Sequence, residues 1–371
     1  MDQLVQKHIV ISAVNIRKGG TLTVLLDCLK YLSSSTHTCT TALVHSKELI
    51  NIPGIEYIEI PWSTKSWLHR LWCEYVTMYK ISKTLLPVDL WFSLHDTTPR
   101  VQARRQAVYC HTSFPFMKLK WQDWFMDAKI PLFRLLTRFA YQINVQRNKY
   151  LVVQQQWMRE SLSRLIGFPQ EKIIVAPPAF NLPDFPDSPR DTEIPLFLYP
   201  ATADCHKNFE TLCKAAELLQ NTLNTPPFKL VLTIDGSENH YAARIKSRFK
   251  HVRSIDFHGY MSKQELYEYY AKASCLVFPS RVETWGLPIS EFKPTCKPMI
   301  LADLPYAHES AQGAQKVVFF PVEQSLTLAL YMYSLLKENN FGFFFDSVPE
   351  KETKKPYAAN WDHLFHQLLY Q

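Results

Sequence analysis

Short apolar runs alternate with longer amphipathic stretches along most of the chain. HIVISAV (8–14) opens the series, followed by Gly19-Gly20 and the helical pattern TLTVLLDCLKYL (21–32). TTALVH, IEYIEI, DLWFSL, QAVYC and YLVVQ are further runs of strand length. Helical periodicity occupies Lys65–Leu86, about Lys118 to Asn148, and Trp157–Ile166. Short, continuously apolar runs suit strands covered on both faces, and helices between them suit parallel crossovers. The pattern predicts a doubly wound parallel α/β sheet.

A break follows. Ala176 to Pro195 packs six prolines and several acids into twenty residues, a composition that resists helix and sheet alike. The alternation then restarts. PLFLYPA, KLVLTIDG, SIDFHGY, SCLVFPS and PMILAD read as strands. NFETLCKAAELL, Tyr241–Phe249, KQELYEYYAKA and a segment from about Leu287 read as helices. The expected organisation is an acceptor-side Rossmann-like domain over 1–180, a linker over 181–195 and a donor-binding Rossmann-like domain over 196–350. A C-terminal helix over 351–371 is expected to pack back on the first domain. Two such domains would face a central cleft.

Composition narrows the class. A chain of 371 residues with 47% hydrophobic and 20% charged residues is globular and long enough for two cores. No apolar run reaches spanning length, and MDQLVQKHIVISAV lacks the basic start of a signal peptide. The eight cysteines form no Cys-x-x-Cys pair, which suits free thiols in a reducing compartment. The expected location is the cytoplasm, at the inner face of its membrane. A net charge of +7 favours an acidic partner, but no nucleic-acid recognition motif accompanies it.

Candidate chemistry collects where apolar runs end. The chain has only nine glycines, so the pair Gly19-Gly20 between a strand and a helix is informative. Backbone amides can approach a phosphate there, or the pair can simply make a turn. Lys207, before the helix NFETL, can act as a point charge for a diphosphate or be an ordinary solvated lysine. PSRVETWGLPISEF (279–292) follows a buried-strand pattern. Thr284, Trp285, Gly286 and Leu287 can offer amides at a helix start, and Glu291 can accept from a ribose diol. Glu283 can accept from sugar hydroxyls. The bland alternative is two solvated acids on a surface helix. His111 ends an apolar strand beside Phe114, Pro115 and Phe116, and could equally cap a turn. His95 and Asp96 end the strand before it and could line an acceptor.

Taken together, these segments resemble the GT-B retaining glycosyltransferases of family 4. The segment from Phe257 to Glu309 carries that family's Glu, seven residues, Glu signature with Gly-Leu-Pro. AVNIRKGGTLTVLLDCL is similar to its glycine-rich loop, VYCHTSFPF to its active-site histidine segment, and YPATADCHKNFETL to its diphosphate-lysine segment. The resemblance implies that Gly19 and Gly20 lie near donor phosphate and acceptor, and that His111 touches the transferred sugar. It implies that Lys207 holds the diphosphate, Glu283 meets the sugar and Glu291 the ribose. Many members also have an arginine about five residues before the lysine. This chain has Thr202 and Ala203 there, leaving Arg281 or Lys18 as possible substitutes.

The expected activity is retaining, metal-independent hexosyl transfer from a nucleotide-diphosphate sugar, with no cofactor. The expected acceptor is a glycan, free or lipid-linked, in O-antigen, lipopolysaccharide or capsule synthesis. Two alternatives stay open: a sugar-nucleotide epimerase of the same architecture, and a non-catalytic nucleotide-binding partner in a glycan assembly complex. Two patches mix bases with aromatics: Phe114–Phe139 (Lys118, Lys120, Trp121, Trp124, Phe125, Lys129, Phe133, Arg134, Arg138) and WSTKSWLHRLWCEYVTMYK with Trp62, Trp67 and Trp72. Such patches suit peripheral contact with an anionic membrane, or they are helices whose apolar faces pack in the core.

Overall fold

The computed structural model describes residues 6–17, 19–121, 124, 129–178, 194–222, 225–337 and 345–371, with the backbone alone at 129, 130 and 133. Lys18, Phe125 and nearly all of the expected linker 181–195 lie outside the described residues.

Along the chain the elements are β1 (Lys7–Ala13), α1 (Gly19–Ser34), β2 (Thr38–Val44), β3 (Ile55–Glu59), α2 (Trp67–Trp72), a π-helical turn (Cys73–Thr77) and α3 (Met78–Thr84). Then come β4 (Leu90–Ser93), β5 (Arg105–Tyr109), α4 (Lys129–Gln142), β6 (Tyr150–Val153), α5 (Gln156–Ile166) and β7 (Ile173–Val175). The alternation resumes with β8 (Leu196–Tyr199), α6 (Phe209–Gln220), β9 (Lys229–Leu232), α7 (His240–Phe249), β10 (Ile255–Phe257), α8 (Lys263–Lys272) and β11 (Cys275–Phe278). It closes with α9 (Leu287–Phe292), β12 (Met299–Ala302), α10 (Pro305–Ser310), β13 (Val317–Phe320), α11 (Ser325–Lys337) and α12 (Trp361–Tyr370).

The described residues group into two compact units, one drawn from 1–115, 133–180 and 353–371, the other from 116–132 and 181–352. The first holds a parallel sheet of order β3-β2-β1-β4-β5-β6-β7, the second a parallel sheet of order β10-β9-β8-β11-β12-β13. Both therefore carry the Rossmann strand order, with the first strand of each half central and a reversal beside it. The two α/β halves expected from the alternation are present. Beyond the elements read from the sequence, the fold adds β7, β13, α10 and α11. β7 and β13 are runs of three and four residues.

The period of two explains how the first sheet is covered. Ile9, Ile11 and Ala13 of β1 join Leu25, Cys28 and Leu29 of α1 and Leu364, Phe365 and Leu368 of α12 in one buried cluster. Val10 and Val14 face the other way and join Leu43, Trp91, Cys73 and Met78. Successive side chains of a strand point to opposite faces, so one apolar run feeds two cores. The chain end is tied in as well: Ala358 N–H donates to Val175 O at 2.9 Å, and buried Arg159 donates to the carbonyl of Lys354 at 2.9 Å.

Candidate active site

In an open α/β sheet, ligands sit beyond the carboxyl ends of the strands where the order reverses. In the second unit that point lies between β8 and β11, neighbours in the sheet. The loops leaving these strands carry Lys207 and Glu283, 76 positions apart in sequence. Lys207 Nζ lies 2.6 Å from Glu283 Oε1, with the two side chains 15% and 13% exposed. Glu283 is thus a mostly buried, paired carboxylate rather than a solvated acid.

The two loops are fastened together by groups that the motif does not advertise. Tyr199, at the end of β8, donates its hydroxyl to Lys207 O at 2.7 Å and sits 2.9 Å from Ser280 Oγ. Arg281 N–H donates to His206 O at 2.8 Å. Lys207 closes a 3-10 turn over Cys205–Lys207, and Asn208 then takes a left-handed backbone, φ 59°, to start α6. The Asn208 amide donates to Pro279 O at 3.1 Å and Val322 O at 2.8 Å. Asparagine tolerates that backbone region better than most residues, and its side chain repays the strain with these two bonds. Tyr306 of α10 donates to Ser280 O at 2.7 Å.

The turn into α9 is equally specified. Gly286 has φ +80°, and a Cβ there would meet Ile289 at 3.3 Å and the Tyr306 ring at 3.6 Å. Glycine is required by the backbone and by the packing. Trp285 Nε1 donates to Ser290 Oγ at 3.0 Å, and Ser310 Oγ donates to Trp285 O, so Thr284–Leu287 is held from both sides. Glu291, on α9, accepts from the hydroxyl of fully buried Tyr270 at 3.1 Å, and burial raises its pKa. Tyr199, Ser280, Tyr270 and Tyr306 had no signal in the sequence, because each acts through a partner distant in the chain.

Arg281 stands beside this cluster. Its guanidinium donates to Lys118 O at 2.7 Å. His206 is buried and its pKa is pushed far down, first by burial and then by the positive charges of Lys207 and Arg281, against the pull of Asp204. The electrostatic influence of Arg281 therefore reaches the turn that carries Lys207.

The remaining predicted residues belong to the first unit. Gly19 has φ +73°, a backbone need, and at both Gly19 and Gly20 an added Cβ would meet nothing within 4 Å among the described residues. His111 follows β5 and is 8% exposed. Its ring lies 4.3 Å from that of Tyr109, and neither ring nitrogen hydrogen-bonds to a protein group among the described residues. Burial lowers its pKa against the nearby Asp96 carboxylate. Asp96, with φ 70°, shapes this loop: its carboxylate accepts from His111 N at 2.5 Å, Thr112 N at 3.0 Å and Thr112 Oγ1 at 2.9 Å. His95 is turned inward instead. It meets Ser12 Oγ at 2.8 Å and Thr97 Oγ1 at 3.1 Å within a buried network with Glu74 and Arg70.

Comparison with known proteins agrees with this architecture. Residues 183–343 match the family model for Glycosyl transferases group 1. The O-antigen chain mannosyltransferase RfbU of Salmonella typhimurium is 25% identical over 218 residues, 58% of this chain and 56% of that protein. The match thus spans little more than half of that relative's length. Among solved structures, the sucrose-phosphate synthase of Thermosynechococcus elongatus superposes with a TM-score of 0.65 at 14% identity, covering 91% of each chain. HepE of Anabaena in complex with UDP gives 0.65 at 13% identity, covering 98% of this chain and 95% of that one. The fold is that of the GT-B glycosyltransferases: two parallel-sheet α/β units.

Proposed function

We propose that this protein is a retaining glycosyltransferase that moves a sugar from a nucleotide-diphosphate donor to a hydroxyl of a glycan, free or lipid-carried, during synthesis of a cell-surface polysaccharide such as O-antigen. The observation that carries the reading is the Lys207–Glu283 pair at the switch point of the second sheet. A cation and a carboxylate held mostly dry against each other can be exchanged for the two ends of a donor. Lys207 turns to the diphosphate, and Glu283 then accepts from the sugar hydroxyls. The amides of Thr284–Leu287 add donors to the diphosphate, and Glu291, oriented by Tyr270, takes the ribose. Similarity to a mannosyltransferase makes nucleotide-diphosphate mannose the first donor to test, and the UDP-bound HepE supports a nucleotide ligand for this fold.

Departure of the diphosphate is the hard step. Positive charge preorganised around it is worth more in a low-dielectric site than in water. We assign that charge to Lys207 and Arg281 and propose transfer without a metal ion. The acceptor oxygen bonds to the anomeric carbon on the face from which the phosphate oxygen leaves. The acceptor's proton passes to that phosphate oxygen, so configuration is retained. His111, buried with both ring nitrogens unmet by protein groups, is assigned to the transferred sugar. Gly19 and Gly20 are assigned to donor phosphate and acceptor.

Glu283→Ala should abolish transfer in a protein that still folds but melts lower, because Lys207 is left unpaired in a mostly dry site, whereas Glu291→Ala should raise the donor KM and leave most of kcat. Initial rates with purified donor and acceptor, alongside thermal melts, test this; normal turnover in both variants would remove the assignment.

A further inference from the structure

We propose that the outward faces of α2 and α4 form a docking surface for an anionic lipid bilayer. An amphipathic helix ordinarily turns its apolar side to the core. Here the apolar side faces solvent. On α4, Leu135, Leu136 and Phe139 are 50%, 55% and 66% exposed, and Ile143 just beyond it is 46% exposed, while Thr137 and Tyr141 are buried. On α2, Trp67, Leu68, Leu71 and Trp72 are 66%, 77%, 44% and 60% exposed. Contiguous groups of large apolar side chains in water mark an interaction surface rather than ordinary exposure.

The charge pattern selects the partner. From Lys129 to Tyr150 the chain has Lys129, Arg134, Arg138, Arg147 and Lys149 and no acidic residue. From Pro61 to Cys73 the outward cation is the exposed Lys65, while Arg70 turns inward to the buried Glu74. Aromatic and aliphatic groups that enter the acyl boundary, flanked by cations that meet phosphate headgroups, fit an anionic bilayer. A second copy of this chain fits poorly, because two such faces would oppose like charges. The topology also aligns the helices. The connections β3→β4 and β5→β6 cross the sheet in the same direction, so right-handed crossovers put α2 and α4 on one side of it. The α1 and α12 layer covers the opposite face. The proposal does not depend on the donor-site reading.

The test uses the full-length protein in sedimentation with vesicles of phosphatidylcholine, alone or mixed with phosphatidylglycerol, at low and high salt. The protein should pellet with the mixed vesicles at low salt and be released by salt. Leu136→Glu with Phe139→Glu should abolish pelleting, and Arg134→Gln or Arg138→Gln should each weaken partitioning about fivefold. Because Leu136, Arg138 and Phe139 are exposed, melting temperatures of their variants should stay near that of the parent. Failure of the parent to pellet with the mixed vesicles would overturn the proposal. So would equal pelleting on phosphatidylcholine alone, or retained binding by the double variant. A dimer in sedimentation velocity that the double variant splits would assign the face to a second copy instead. Thermal shifts with UDP and GDP on the same variants read the donor site separately, so either reading can fail without the other.

Discussion

Lys207 and Glu283 answer each other's electrostatic need. Each is mostly removed from water, and an unpaired charge in that setting is costly. Their mutual bond at 2.6 Å keeps both ready without fixing either permanently. Thr202 and Ala203 leave no arginine shortly before the lysine, so the second cation has to come from elsewhere in the chain. Arg281 is joined to the lysine's own turn through His206 O and lies two residues before Glu283. If it neutralises the diphosphate, Arg281→Gln should weaken nucleoside diphosphate binding roughly tenfold, the scale of one charge-assisted hydrogen bond. Nucleoside monophosphates should bind the variant nearly as before. Titration calorimetry with both ligand types decides it, and an equal loss for both would move Arg281 out of the diphosphate's shell.

At the scale of elements, α12 is built into the first core rather than laid over it. Phe365 is 3% exposed, stacks on Tyr31 at a centroid distance of 5.6 Å and meets Phe92 edge-on at 5.9 Å. Asn360 caps the helix by accepting from His363 N at 2.9 Å, and Tyr31 donates to Asp362 Oδ1 at 3.0 Å. Phe365→Ala should therefore cost about 3–5 kcal/mol, the range for large aromatic truncations in cores. A urea titration reads this as a lower midpoint with unchanged slope; a loss below about 1 kcal/mol would mean that α12 docks loosely. The tail's amphipathic pattern made this helix legible in the sequence. α2 and α4 show the converse. Their amphipathicity was equally plain, but the pattern fixes only that one face is apolar. Which way that face turns depends on what the crossover leaves uncovered.

Across the whole molecule, three histidines are buried in a state that disfavours charge. Burial pushes the His95 pKa down to about 4, and those of His206 and His111 also fall. In the unfolded chain each would titrate near 6.5. Above that value both states are neutral and nothing is lost. As pH falls below it, the unfolded chain takes up protons that the folded chain refuses, until the lowered pKa values are reached. His95 and His206, whose pKa values fall to about 4 and about 3, then each cost up to about 1.4 kcal/mol of stability per pH unit, and His111 adds in the same direction. Denaturation at about pH 7 and about pH 5 should show a marked fall in stability at the lower pH. His95→Gln should flatten the dependence; a flat profile in the parent protein would show that these rings are solvated or paired.

The sequence by itself determined the two α/β halves, because strands covered on both faces must be written as uninterrupted apolar runs and their crossovers as amphipathic ones. It also determined the candidate site residues with local signatures: Glu283 and Glu291 around Gly-Leu-Pro, and Gly286, whose positive φ only glycine meets cheaply. Only the tertiary structure decided that Lys207 and Glu283 touch, that Tyr199 and Asn208 bind their two loops together, and that Asp96 rather than His95 shapes the His111 turn. Only it decided that the apolar sides of α2 and α4 face water. The division has one physical cause. Periodicity records what a residue's own element requires, whereas hydrogen bonds between loops and the exposure of a helix face are set by partners brought close when the sheet forms.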